Sequence, residues 1–108
     1  MRLLLVAILA LTVTPSARVS APKTHTVTID ASAFSPATLT AAPGDTIVFR
    51  NKDMFPHTAT SRTGAFDSKE IAAGKSWKLV VPKRGRLFEY YCTLHPTMKG
   101  ALRVTSAP

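Results

Sequence analysis

The 108-residue sequence predicts an all-β fold, an antiparallel Greek-key β-sandwich. Three observations lead there. Short runs alternate apolar and polar residues with the period of two that a half-buried strand requires, at Thr24 to Asp30, Thr46 to Asn51, Ser76 to Val81 and Leu87 to Cys92. Turns rich in glycine and proline separate these runs: Ala42-Pro43-Gly44-Asp45, Thr63-Gly64, Gly74, and Pro82 to Gly85. No intervening stretch holds a 3.6-residue period long enough for a helix, and no segment repeats. Strands at this spacing close as two stacked sheets.

The chain opens with Arg2 and an apolar run from Leu3 to Val13, broken only by Thr12, then the small residues around Thr14-Pro15-Ser16-Ala17 and Val19-Ser20-Ala21. A basic start, a short apolar stretch and a small-residue cut describe a secretory signal peptide over residues 1–21, with the domain at 22–108. The run is well short of the ~20 apolar residues of a membrane-spanning helix. Pro22 after the Val-Ser-Ala cut is unfavourable to the peptidase, so an uncleaved anchor is the alternative. The bacterial look of the leader points to the periplasm.

Arg2 and Arg18 are the only charges of the leader, so the domain keeps 12 of the 14 basic residues against all 6 acids. A basic surface suits an acidic protein partner or an anionic membrane surface, although solubility is an equally good use of the same charge. Nucleic acid is excluded by export and by the lack of interleaved aromatic and basic residues. A domain this small buries only about 60–65% of its unfolded surface. Its single cysteine cannot form an internal disulfide, which leaves a bound metal as a source of stability.

Taken in order, His25, Val27 and Ile29 fall on one face of the first strand, with His25 half-exposed at its opening end. Ala33-Phe34-Ser35-Pro36 interrupts the pattern, since Pro36 cannot occupy a central strand. A short strand spans about Thr38 to Ala41; the next, Thr46 to Asn51, turns Ile47 and Phe49 inward. The loop Met54-Phe55-Pro56-His57 carries large apolar side chains beside a histidine, as the rim of a site does. From Phe66 to Ala72, Asp67 and Glu70 could cap a helix, but the run before Gly74 is too brief and reads as an irregular loop. Trp77, Leu79 and Val81 point inward, and Pro82 leads into the basic turn Lys83-Arg84-Gly85-Arg86. Phe88, Tyr90 and Cys92 then share the core-facing side, and Gly100 opens a last strand with Leu102 and Val104 inward.

Cys92, His95 and Met98 stand at Cys-x-x-His-x-x-Met spacing at the end of that aromatic strand, and Cys92 is the only cysteine. Alone, each has a bland use: a small buried hydrophobe, a loop residue, core filler. Together in an exported β-protein they read as ligands. Two imidazoles and a thiolate with a weak axial methionine form a blue copper site. The second histidine must come from elsewhere, and His57 is better placed than His25. Zinc draws on more Cys and His and takes methionine poorly. A nucleophilic Cys-His pair would leave Met98 idle and His95 without an acidic orienter. One copper ion cycling between Cu(II) and Cu(I) is the expected cofactor.

The sequence resembles the small blue copper proteins of the cupredoxin family, closest in loop length to the amicyanins and more loosely similar to plastocyanins and pseudoazurins. The resemblance covers about Thr24 to Thr105. It rests on Phe34-Ser35-Pro36, Pro43-Gly44-Asp45-Thr46-Ile47-Val48-Phe49-Arg50-Asn51, Pro56-His57, Gly74-Lys75-Ser76, Phe88-Glu89-Tyr90-Tyr91-Cys92 and the tight Cys92-to-Met98 spacing. It implies a soluble, monomeric electron-transfer protein, not an enzyme, with His57, Cys92 and His95 as equatorial ligands and Met98 axial. Copper enzymes with such domains need further copper sites between domains, which three histidines cannot supply. The alternative is an exported module that delivers or buffers copper.

Two departures stand out. Leu94 replaces a proline, so its N–H is expected to donate to the Cys92 sulfur. Thr58 replaces an asparagine that ties the two ligand loops together, and is expected to tie them less rigidly. Met54, Phe55, Pro56, Leu94, Pro96 and Met98 form the expected docking patch for a protein redox partner. Lys52, Lys83, Arg84, Arg86 and Lys99 form its expected basic margin.

Overall fold

The computed structural model describes residues 2–13 and 21–106. Eight strands follow one another: β1 (Thr24–Asp30), β2 (Ala33–Ser35), β3 (Thr38–Ala41), β4 (Thr46–Asn51), β5 (Thr60–Ser61), β6 (Ser76–Val80), β7 (Leu87–Tyr91) and β8 (Lys99–Val104). Among the described residues there is no helix, and so none long and apolar enough to cross a membrane. Leu3 to Val13 is exposed and without regular structure. The expected cleavage region, from Thr14 to Ser20, lies outside the described residues.

The strands form two four-stranded sheets, ordered β2-β1-β4-β6 and β3-β8-β7-β5. The β-sandwich is the expected fold, but its sheets are mixed, not purely antiparallel. Strand β1 runs parallel to β4, from Thr24 opposite Thr46 to Ile29 opposite Asn51, and β3 parallel to β8, from Thr38 opposite Ala101 to Ala41 opposite Val104. The period of two settles which face a residue occupies and is blind to strand direction. Two short strands also depart from the expected pattern. Ala33–Ser35 pairs with β1 at the sheet edge, where Pro36 just beyond costs no ladder bond. Thr60–Ser61 pairs with β7 over two residues, too few to show a period.

Facing is as the alternation requires. Val27, Ile29, Ile47, Phe49, Leu79 and Val81 of one layer meet Phe88, Tyr90, Leu102 and Val104 of the other, with Phe34 and Phe66 closing the sides. Tyr90 is the hub, edge-on to Phe34 at 4.8 Å and to Phe49 at 5.4 Å between ring centroids. Each such pair adds about 0.5–1.5 kcal/mol beyond simple burial. A Cβ at Gly100, opposite Tyr90 in the ladder, would overlap the tyrosine ring, so glycine there makes room for the largest core side chain. The Tyr90 hydroxyl is buried without a protein partner, and burial pushes its pKa above the ordinary value.

At the end of the sandwich where β4 begins, Asp45 is buried and gathers three donors. Lys23 N donates to Oδ1 at 2.9 Å, Ala42 N to Oδ2 at 3.0 Å, and His25 Nε2 lies 2.8 Å from Oδ2. These contacts, the Lys23 amide first, bring the carboxyl down to about 2. His25 is half-buried, as expected of a strand end that β2, pairing only from Thr28 on, leaves uncovered.

Candidate metal centre

The opposite end of the sandwich receives the C-terminal ends of β4 and β7, and two loops meet there. The first begins at Asn51, which is fully buried. Its Nδ2 donates to the carbonyls of Phe55 (2.8 Å) and Ile71 (2.9 Å), and its Oδ1 accepts from Asp53 N (2.9 Å). One amide side chain thus shapes the loop. His57 is then pinned through its backbone, exchanging hydrogen bonds with Ile71 at 3.2 and 2.8 Å. The segment read as an irregular loop, Phe66 to Ala72, is irregular, and Ile71 within it serves as the strut behind His57.

The His57 side chain is fully buried and its Nε2 lies 2.9 Å from Asp53 Oδ2. A carboxylate only accepts, so in the neutral ring Nε2 carries the hydrogen and Nδ1 presents its lone pair. Nδ1 faces Cys92 Sγ at 3.7 Å. Asp53 also accepts from Ser32 N at 2.9 Å, in a turn where Ala31 and Ser32 both have left-handed backbone (φ 49° and 54°). The Ser32 amide first, and His57 second, hold the Asp53 carboxyl below the ordinary range. Sequence reading missed Asp53, ending the strand there without giving it a role. The available signal was an acid four residues before the histidine in an otherwise apolar loop.

The second loop closes on itself, with Cys92 N donating to the Met98 carbonyl (3.0 Å) and Met98 N to the His95 carbonyl (2.9 Å). Cys92 and Met98 are buried, while His95 is exposed. The His95 ring stands 5.1 Å from that of His57, centroid to centroid. One donor atom each from His57, Cys92 and His95 lie within 4.8 Å of one another, the only such group of three or more His, Cys, Asp or Glu among the described residues. His25 belongs to the far end.

The donor set passes a test of fit. With imidazole nitrogen bound at about 2.0 Å and thiolate at about 2.3 Å, two such ligands roughly 120° apart, as in a trigonal His₂Cys set, sit about 3.7 Å from each other. That is the observed separation of His57 Nδ1 and Cys92 Sγ. One thiolate with two imidazoles and a nearby thioether suits copper.

The loops are tied by Thr58. Its amide donates to Cys92 Sγ at 3.3 Å, and its Oγ1 accepts from Thr93 N at 2.9 Å. A hydroxyl and a backbone amide therefore join the two loops. Leu94 N, expected to donate to the sulfur, makes no hydrogen bond to it; the sulfur's one amide donor among the described residues is instead Thr58. Met54, Phe55, Pro56, Leu94 and Pro96 are exposed around this end, but Met98 is buried and leaves the expected patch. Lys83, Arg84 and Arg86 leave the expected margin too. They precede β7, whose far end delivers Cys92, about 20 Å away at 3.3 Å per residue. Lys52 and Lys99 flank the loops themselves.

The sequence model of a protein family described as the cupredoxin-like domain matches residues 2–104. No curated protein sequence matches the chain. Among solved structures, an oxidized mutant of amicyanin is similar at a TM-score of 0.69 and 22% identity, over 75% of this chain and 81% of that one. A purple cupredoxin from Nitrosopumilus maritimus is similar at 0.66 and 26% identity, over 75% of this chain and 99% of that one. A copper-containing nitrite reductase from Thermus scotoductus SA-01 is similar at 0.72 and 27% identity, over 89% of this chain but 25% of that one.

Proposed function

The chain belongs to the cupredoxin-like domain family, and from that premise we propose that it is an exported electron carrier serving protein redox partners, with His57, Cys92, His95 and Met98 holding one copper ion. The observation that carries this reading is the convergence of the three donor atoms within 4.8 Å of one another at one end of a stiff sandwich. Bound copper supplies a one-electron couple.

The protein's part is to keep the donors still. His57 is fastened at backbone and ring by Ile71 and Asp53, and Cys92 by Met98 and the Thr58 amide. A site held this way rearranges little on gaining or losing an electron, which keeps transfer fast. The Thr58 amide, donating to sulfur, stabilises charge on the thiolate.

His95 is the exposed ligand, and it opens among exposed Met54, Phe55, Pro56, Leu94 and Pro96. This apolar surface is the docking site in our reading, with its histidine edge as the electron exit. Among the described residues, Lys69 is the one lysine or arginine in an ion pair, so the basic excess is free to steer an acidic partner. We read residues 1–21 as a leader that delivers the domain to the periplasm, and the domain as a monomer. We read the protein as a carrier and not an enzyme, since the one metal-capable cluster among the described residues offers the single copper site that a carrier uses.

Voltammetry of the copper-loaded domain tests this reading. A reversible one-electron couple, with copper retained against a chelator over many cycles, is expected. Rapid copper loss without a reversible couple would replace the electron carrier with a delivery protein.

A further inference from the structure

Thr58 does not act alone. Its Oγ1 lies 3.0 Å from Thr60 Oγ1, which lies 3.0 Å from Asp67 Oδ1. The direction of this chain follows from chemistry. A hydroxyl has one hydrogen, and the Asp67 carboxylate cannot donate. Thr60 Oγ1 faces two acceptors, Thr58 Oγ1 and Asp67, with one hydrogen to give, and the charged carboxylate takes it. The Thr58 hydrogen is then left for Thr60 Oγ1 or for Thr93 Oγ1, 3.3 Å away, and with either a Thr58 lone pair faces Thr93 N. The chain runs from exposed Asp67 through half-buried Thr60 to buried Thr58 and ends beside Cys92.

A second observation concerns how Asp67 is held. Ala59 N donates to Ser68 Oγ at 2.7 Å and Ser68 N to the Ala59 carbonyl at 3.1 Å, so residues 67–69 are fastened along residues 58–60. Lys69 N donates to Asp67 Oδ1 at 2.9 Å, with Lys69 in the left-handed region at φ 57°. A non-glycine residue there costs free energy and persists only where its surroundings impose it. The same amide holds the Asp67 carboxyl below the ordinary range, so it stays an acceptor.

Resting on the copper-site reading above, we infer that Asp67, a surface residue outside the donor cluster, is a positioning residue of the metal centre. By accepting the Thr60 hydrogen it orients the Thr58 hydroxyl to receive the Thr93 amide, and so locks the Cys92 loop onto the His57 loop. Neither Asp67 nor Thr60 belongs to the donor group.

The test compares Thr60→Val and Asp67→Ala with Thr60→Ser and Asp67→Asn, which keep the hydroxyl and an acceptor oxygen. In the metal-free domain, amide exchange of Thr93 should quicken about two- to tenfold in the first pair, as loss of one weakly netted hydrogen bond predicts. The second pair should match the wild type, and the Cys92 amide, bonded to Met98, should not change in any. With copper bound, the first pair should also shift the thiolate-to-copper absorption band and the reduction potential. Unchanged Thr93 exchange in folded Thr60→Val and Asp67→Ala overturns the inference, as does equal quickening in Thr60→Ser. A wild type that stays colourless with copper would remove the proposed function, while the exchange experiment still reads the clamp without metal.

Discussion

Replacing Asp45 with asparagine tests how the end of the sandwich remote from the metal is held. Both carboxylate oxygens accept backbone N–H groups, Oδ1 from Lys23 and Oδ2 from Ala42. The folded carboxyl stands at about 2 against an ordinary 3.8. At roughly 1.4 kcal/mol per pH unit, that gap is worth about 2 kcal/mol of folding free energy. Because the folded value is depressed, the contribution is complete above about pH 4 and is lost as pH falls from there through 2. Asparagine removes the charge, and either orientation of its amide sets an NH₂ against a backbone donor, so a loss of about 2 kcal/mol is expected at neutral pH. For a domain of this size that corresponds to a fall in Tm of roughly 8–16 °C. Thermal melts of the metal-free domain followed by circular dichroism from pH 2 to 7 provide the assay. The gap between wild type and Asp45→Asn should narrow toward pH 2. A Tm within about 2 °C of wild type at pH 7, or a gap that does not narrow, would refute the reasoning.

Three more outcomes are expected. Asp53→Ala frees the outer nitrogen of His57, and copper affinity measured against a competing chelator should fall about 10–100-fold, the usual cost of losing a ligand's hydrogen-bond partner; an unchanged affinity would deny Asp53 its orienting part. Tyr90→Phe removes a buried hydroxyl without a protein partner and should leave stability equal or raise it by about 1 kcal/mol in urea unfolding, whereas a clear loss would mean the hydroxyl is satisfied. Gly100→Ala sets a methyl group into the Tyr90 ring and should cost about 1–3 kcal/mol, and a neutral result in the same assay would mean that the ladder yields there.

Much of this was legible in the sequence for physical reasons. Phe88, Tyr90 and Cys92 alternate with Leu87, Glu89 and Tyr91, and a period of two admits one facing once a core exists, so Cys92 had to point inward at a strand end. The spacing to His95 and Met98 brought a soft donor set into one tight loop. The parallel pairings were not legible, because strand direction leaves no local trace. The position of Lys83, Arg84 and Arg86 was, in hindsight: a turn that starts the strand ending at Cys92 must lie at its other end. Asp53, Asn51 and Ile71 escaped because loops have no period from which to predict contacts. Thr58 was recognised as a departure, but its helpers Thr60 and Asp67 lie in segments whose pairing only the folded chain reveals.

The central claim is that two loops of one rigid sandwich close a single copper site through the Cys92 sulfur and two imidazoles. Titrating copper(II) into the purified domain while recording visible absorption tests it most directly. An intense thiolate-to-copper band is expected that saturates at about one equivalent, bleaches on reduction, returns on reoxidation, and is absent in Cys92→Ser and weakened or displaced in His57→Ala. A band that survives Cys92→Ser, or no band in the wild type, would contradict it.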